Sequence, residues 1–352
     1  MSRTQRKLEH IQLALSTGQL RLTGLDDIQI IHQSLPDSSL SDVSLQTFLG
    51  ELLLSSPIFI NAMTGGGGRE TQKINEELAI AARETGLALA VGSQMSAIKN
   101  PEERKTYEIV RKLHPNGVIF ANLGSEATLE QAQQAVEMLE ANAIQIHINV
   151  VQELTMPEGD RSFKGALERI QAIAESLPVP VIIKEVGFGM GFETVQKLNY
   201  SGILAVDIGG FGGTNFAKIE NSRRSEEFTF FNEWGIPTSV SLVEACEAAD
   251  GLEVLASGGI TNSLDVVKCL VLGAQAVGMA GTFLRVLKED GIEKLIESIE
   301  QVHKEISFMM TALGCEKVSE LRTKPVLFTG QTHHWLKERG VNTSSYSQRG
   351  RV

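Results

Sequence analysis

EVLASGGITNSLDVVKCLVLGAQAVGMAG, residues 253–281, is the stretch that decides the fold. It opens on a short apolar run, Glu253–Gly259, and closes on another, Ala276–Ala280. The two starts lie 23 residues apart, which is room for one buried strand and a crossover helix. Working back toward the N-terminus, the same unit recurs. Further runs stand at Ile58–Ala62, Leu87–Gly92, Gly117–Leu123, Ala143–Asn149, Val179–Val186 and Gly202–Gly209. Their near-continuous hydrophobicity suits parallel strands buried on both faces. Between them Glu70–Thr85, Thr128–Ala141, Phe163–Ser176 and Ser239–Ala249 carry apolar residues at three- and four-residue spacings, the helical pattern. Start-to-start intervals along the chain are 29, 30, 26, 36, 23, 51 and 23 residues. Eight such units predict an α/β fold, a (β/α)8 TIM barrel over about 55–312. A doubly wound open sheet stays as the alternative, because periodicity does not show closure. The segment 1–54 is expected as an N-terminal extension and 313–352 as a tail, all within one domain, since no linker separates them.

The 51-residue interval contains Phe211–Pro237, rich in Gly, Asn, Arg and Glu, and reads as an irregular, mobile loop after the sixth strand. Such a loop is either a lid or a passive surface insertion. Composition narrows the function classes. With 32 Lys+Arg against 43 Asp+Glu, the net charge of −11 argues against a nucleic-acid surface. An anionic substrate then needs a local basic pocket. The three cysteines, Cys246, Cys269 and Cys315, form no CxxC pair and read as buried thiols of a reducing compartment. Arg3, Arg6 and Lys7 precede only a short apolar stretch broken by Gln12, and no apolar run reaches 18 residues. A cytoplasmic protein with no membrane partner is expected.

In a barrel of this kind the site is built at the C-terminal ends of the strands. Those ends read Ala62-Met63-Thr64 with Gly65 to Gly68, then Ser93, Asn122, and His147 with Gln152 and Glu153. Lys184 follows, then Gly209-Gly210 and Thr214, Ser257-Gly258-Gly259, and Ala280-Gly281. The last two loops carry the sharpest feature. Gly258, Gly259 and Gly281 have no side chain to keep a phosphate from backbone amides, though a Gly-Gly pair also simply turns a chain. The tetraglycine fits neither a Gly-Lys-Ser/Thr loop nor GxGxxG. It is either a turn before a helix or backbone lying against a flat ring. Lys184, directly after a buried run, is costly there unless it reaches solvent or an anion. It can neutralise a ring anion, form a Schiff base, or merely snorkel.

Ala256-Ser-Gly-Gly-Ile260, with Leu264-Asp265, Gly273-Ala274 and Ala280-Gly281, resembles the phosphate half of FMN-dependent barrel oxidoreductases. Arg6-Lys7-Leu8-Glu9-His10, Asn61-Ala62-Met63-Thr64-Gly65-Gly66, Gly92-Ser93-Gln94 and His147-Ile-Asn-Val-Val-Gln152-Glu153 resemble the type 2 isopentenyl-diphosphate delta-isomerases. Lys184-Glu185-Val186-Gly187 and Gly209-Gly210-Phe211-Gly212-Gly213-Thr214 continue that likeness, which runs in order from residue 6 to about 281. The resemblance implies an isomerase interconverting isopentenyl and dimethylallyl diphosphate, with FMN, Mg2+, and NADPH as flavin reductant, and a homo-oligomer (tetramer or octamer). By position it implies that Ala62, Met63, Thr64, Ser93, Asn122, Lys184, Thr214, Gly258, Gly259, Ala280 and Gly281 hold the flavin. Arg6, Lys7, His10, His147 and Gln152 would meet the substrate, Gln152 as the catalytic residue, and Glu153 the metal.

These residue types suit the implied chemistry. Arg6 and Lys7 supply cations that the acidic bulk lacks, unless they are simply a solvated terminus. Magnesium takes one or two carboxylates plus phosphate oxygens, so a lone Glu153 suffices. No carboxylate pair is legible at the strand ends to move a proton, which favours the flavin as proton carrier. If residues 152 and 153 continue the fourth strand, their side chains point to opposite sides. Thr261 stands where flavin 2-hydroxyacid oxidases, the alternative from the same superfamily, resemble one another in carrying arginine. An inosinate-dehydrogenase-like barrel would need a cysteine between 210 and 237, and none is there. A phosphate-binding sensor or scaffold without turnover is the remaining alternative.

Overall fold

The computed structural model describes residues 22–63, 65 and 67–351. Eight strands form a barrel: β1 (Ile58–Ile60), β2 (Ala88–Ala90), β3 (Ile119–Gly124), β4 (Ala143–Ile148), β5 (Val181–Glu185), β6 (Ala205–Asp207), β7 (Glu253–Ser257) and β8 (Ala276–Met279). Each pairs in parallel with its neighbours, and β8 pairs with β1, Val277 opposite Ile58. That last pairing closes the sheet and excludes the open alternative. The expected helices are found as Arg69–Thr85, Leu129–Leu139, Ala166–Ser176 and Thr238–Ala248.

Why the runs are apolar throughout follows from the two-residue alternation of a strand. Ile58, Ile60, Leu89, Ile119, Ala121, Ile144, Ile146, Val181, Ile183, Val206, Val254, Ala256 and Val277 face the helices in one cluster. The alternate positions, Phe59, Ala88, Ala90, Phe120, Ala143, Ile182, Ala205, Leu255 and Ala276, fill the barrel. Large and small alternate there, and Phe59 meets Phe120 edge to face at 5.8 Å between ring centres. A hairpin, Thr47–Leu49 with Leu52–Leu54, brings Leu49 and Leu54 onto this inner cluster from the N-terminal end. The segments flanking the barrel hold each other, Ile28–Ile30 pairing antiparallel with Val326–Phe328.

The stretch 211–237 corrects the expectation of an irregular loop. It contains the helix Phe216–Asn221 and a short 3-10 turn at Thr229–Phe231. Its two ends are tied by a bridge between Phe211 and Pro237, and Phe211 N–H donates to Ile236 at 2.9 Å. Asn215 caps the helix, and Asn221 binds Phe228 and Asn232, so the asparagines that read as loop residues are the ones that order it. Cys269 and Cys315 are buried as expected, whereas Cys246 is half-buried. Among the described residues no helix is long and apolar enough to cross a membrane.

Candidate active site

One strand step beyond the inner apolar layer, the inward positions turn polar: Asn61, Asn122, Gln145, Lys184, Asp207 and Ser257. All are buried. One step further come His147, Val186, Gly209, Gly259 and Ala280, which line a cavity at the C-terminal mouth. Phe59 and its neighbours thus form the cavity's dry floor support, and the polar layer its base.

Lys184 is neither a snorkelling lysine nor a bare nucleophile. Its ammonium lies 3.0 Å from the Asp207 carboxylate, and donates also to the Glu185 carbonyl at 3.1 Å and Ser257 Oγ at 3.3 Å. Asp207, fully buried, accepts further from Asn61 Nδ2 at 2.7 Å and from Ser257 Oγ. Two carboxylates therefore do stand at adjacent strand ends, which corrects the sequence-based expectation. Neither lines the cavity. The second, Glu185, turns away and takes the amides of Gly187, Phe188 and Gly189 at 2.6, 2.6 and 3.1 Å, so shaping the loop after β5.

Burial pushes the Glu185 carboxyl up from 4.5 to about 7, with those three amides and the Lys184 charge pulling it back. A folded carboxyl that keeps its proton to higher pH than the unfolded one stabilises fully below about pH 4.5. That stabilisation is lost as pH rises through about 7. Glu185→Gln keeps an acceptor for the amides without the charge. Across that window it should gain on the wild type by up to about 3 kcal/mol as pH rises. Urea midpoints of both proteins on either side of the window measure this, and parallel pH curves would rule it out.

The pair Gln152 and Glu153 differs from expectation. Both lie in a short helix, Val150–Thr155, so successive side chains are turned by about 100° and do not point to opposite sides. The chain leaves the strand at Asn149 (φ −145°, ψ 45°), whose side chain donates to Gln152 at 3.3 Å and Glu153 at 2.9 Å. Gln152 lines the cavity and donates to the buried Glu220 at 3.3 Å. Glu153 stands outside the lining, its carboxylate accepting from Asn149 and, at 2.8 Å, from the Asp160 amide.

Of the residues singled out in the sequence, Ala62, Met63, Ser93, Asn122, His147, Gln152, Lys184, Thr214, Gly258, Gly259, Ala280 and Gly281 all line this one cavity. Arg6, Lys7, His10 and Thr64 lie outside the described residues. Sequence reasoning missed Gln145, Asp207 and Glu220. The first two were in reach, since each falls on the inward alternation two residues before a lining residue, His147 and Gly209. Glu220 was not, because a helix in the loop after β6 brings it in.

The cavity fits a flavin phosphate at its β7–β8 side. Gly258 and Gly259 have φ of 106° and 71°, and a Cβ would lie 2.0 Å from the Gly210 carbonyl and 2.5 Å from that of Gly212. Glycine is thus required where the loops after β6 and β7 cross, and their backbone faces the cavity bare. Beside them begins the ten-residue helix Gly281–Asp290, whose cap, Ala280, makes no side-chain hydrogen bond. Its first amides remain for an anion. For a divalent cation, no group of three or more His, Cys, Asp or Glu is present among the described residues. Each Glu153 oxygen accepts one hydrogen bond, so lone pairs remain for an ion shared with phosphate oxygens.

Comparison with known proteins agrees with this geometry. A family model described as FMN-dependent dehydrogenase matches residues 99–327. Isopentenyl-diphosphate delta-isomerase of Bacillus pumilus is 57% identical over 349 residues, 99% of this chain and 98% of that one. The chain belongs to the FMN-dependent, type 2 isopentenyl-diphosphate delta-isomerases. Delta-isomerases of Geobacillus sp. (55% identical) and Bacillus cytotoxicus (57%) align over 99% of this chain and all of theirs. As a delta-isomerase this enzyme shares its fold, at 18–19% identity, with structures of mandelate oxidase. Their TM-scores are 0.63 and 0.67, over 91–92% of this chain and 92–94% of theirs.

Proposed function

We propose that this enzyme interconverts isopentenyl and dimethylallyl diphosphate by a reversible 1,3-allylic proton shift, using reduced FMN, Mg2+ and NADPH as the flavin's reductant. One observation carries the reading. Among the described residues the cavity's polar side chains are Lys184, His147, amides and hydroxyls, set among bare backbone and the apolar Met63, Val186, Phe216 and Ile260, with no carboxylate. Such a lining favours an anionic ligand and offers no side-chain acid strong enough for an alkene. Reduced FMN, when bound, supplies that acid–base group.

The chain's own residues bind and orient. Gly258, Gly259, Ala280 and Gly281 would hold the flavin phosphate, and Ala62, Met63, Thr64, Ser93, Asn122, Lys184 and Thr214 its ring and ribityl chain. Lys184 brings a positive charge to the cavity base while Asp207 fixes its position. Gln152, held between Asn149 and Glu220, orients the reacting alkene, and His147 offers a ring nitrogen to the diphosphate. Glu153 supplies the carboxylate for magnesium, and Arg6, Lys7 and His10 would meet the diphosphate. A cytoplasmic location and a tetramer or octamer belong to the same proposal. Three free thiols support the first. The exposed Phe230 and Trp234 of the loop after β6 are apolar surface that the second would cover.

The test is conversion of isopentenyl diphosphate by the FMN-loaded enzyme with magnesium. Product should form only after dithionite or NADPH is added, with far less reductant oxidised than product made. Oxidation of NADPH in proportion to product would favour a dehydrogenase instead.

A further inference from the structure

The buried polar layer is a chain of hydrogen bonds running across the barrel. Asn61 Nδ2 donates to Asp207 at 2.7 Å, and Gln145 Nε2 donates to Asn61 Oδ1 at 3.1 Å. Asn122 Nδ2 donates to Gln145 Oε1 at 3.1 Å, and Asn122 Oδ1 meets His147 Nδ1 at 2.9 Å. Four barrel strands or their ends contribute, β1, β3, β4 and β6, and no link but the last is more than 3% exposed.

The direction of this chain is not free. Asp207, paired with the Lys184 ammonium, has only acceptors to offer. Asn61 must therefore turn its NH2 toward it. The Ala62 amide, which can only donate, reaches Asn61 Oδ1 at 2.8 Å and fixes the same orientation independently. Gln145 must then donate to Asn61 and accept from Asn122, which leaves Asn122 Oδ1 for the histidine. Reversing the last link requires all three amides to turn over. That places the Asn61 carbonyl against a carboxylate and leaves buried groups without their hydrogen bonds, each of which costs the full desolvation of the group.

We infer that Asp207, Asn61, Gln145 and Asn122 act as a directional relay that locks a proton on His147 Nδ1, leaving Nε2 as the nitrogen for any partner outside the relay. Neutral His147 then presents an acceptor at Nε2, and only the imidazolium can donate from it. Asp207, Asn61 and Gln145 are positioning residues, Asn122 is also a proposed flavin contact, and the relay's effect on turnover rests on the proposed contact of His147 with the diphosphate. If that contact holds, a hydrogen bond donated from Nε2 to the anion requires the imidazolium form of His147, since the neutral ring offers only an acceptor there.

Long-range 1H–15N spectra of the FMN-loaded, 15N-histidine-labelled enzyme test this directly. The protein has seven histidines, and a His147→Gln variant assigns the signal. Nδ1 of His147 should be protonated at every pH at which the enzyme is folded. A bare Nδ1 beside a protonated Nε2 would overturn the relay on the wild-type spectrum alone. Gln145→Met keeps the volume without touching His147, and frees Asn122 to turn. Both tautomers should then appear, while kcat/KM falls roughly 10-fold to 100-fold, as for outer partners of metal-bound histidines. An unchanged tautomer in folded Gln145→Met would also overturn the relay. A mixed tautomer with full activity would support the relay and instead remove His147 from substrate binding.

Discussion

Lys184→Met is expected to destabilise the folded enzyme by about 3–5 kcal/mol, the cost of leaving one partner of a buried ion pair alone. The Lys184 side chain is 9% exposed and that of Asp207 0%, so water does not replace the lost ammonium. Asp207 would keep Asn61, Ser257 and the Gly209 amide, but hydrogen bonds without a cation do not offset a buried charge. Flavin binding should fail with it, because Lys184 reaches the cavity base. Adding Asp207→Asn to Lys184→Met removes the orphaned charge, and this double variant should recover most of the stability but not the flavin. Urea unfolding of the three proteins, with and without FMN, separates the two effects. A single variant within about 1 kcal/mol of wild type would mean that the pair is solvated and of surface value only.

The second large effect is expected at Gln152. Gln152→Asn keeps the amide but withdraws it by one methylene from the cavity and from Glu220. A small misplacement beside reacting atoms should lower kcat by about 100-fold, with KM and the flavin spectrum little changed. Glu153→Gln should behave differently, because its carboxylate lies off the cavity between Asn149 and the Asp160 amide. Its defect should appear as a raised KM and a raised magnesium requirement, kcat recovering at saturating metal. Kinetics of both variants across a magnesium titration decide the matter. Near-wild-type turnover in both would remove the helix Val150–Thr155 from the active site.

That helix also marks where sequence stops informing. From Ile144 to Val150 apolar residues alternate with Gln145, His147 and Asn149, a two-residue period that reads as strand past Ile148, where the strand ends. Nothing in that alternation announced that the strand would end at Ile148 and a helix begin at Val150. The stretch 211–237 misled in the opposite direction. Its Gly and Asn content has the composition of a loop, yet Asn215 and Asn221 find partners seven to seventeen residues on and build an ordered element.

The sequence by itself determined the eight strands, four of the helices between them and the bare backbone at Gly258, Gly259 and Gly281. Each of these depends on local properties: short apolar runs for the strands, a 3.6-residue period for the helices, and residues without a side chain at the loops. It also placed twelve cavity residues, because strand ends of a parallel barrel share one mouth. Only the tertiary structure decided what lies beneath that mouth. Asp207 meets Asn61 across 146 residues, and Lys184 meets Ser257 across 73. These pairs exist because β8 closes onto β1 and turns every second strand residue to a common axis. A polar side chain inside such a run carries no mark of its partner until closure brings the strands together, and burial then leaves it no water to choose instead.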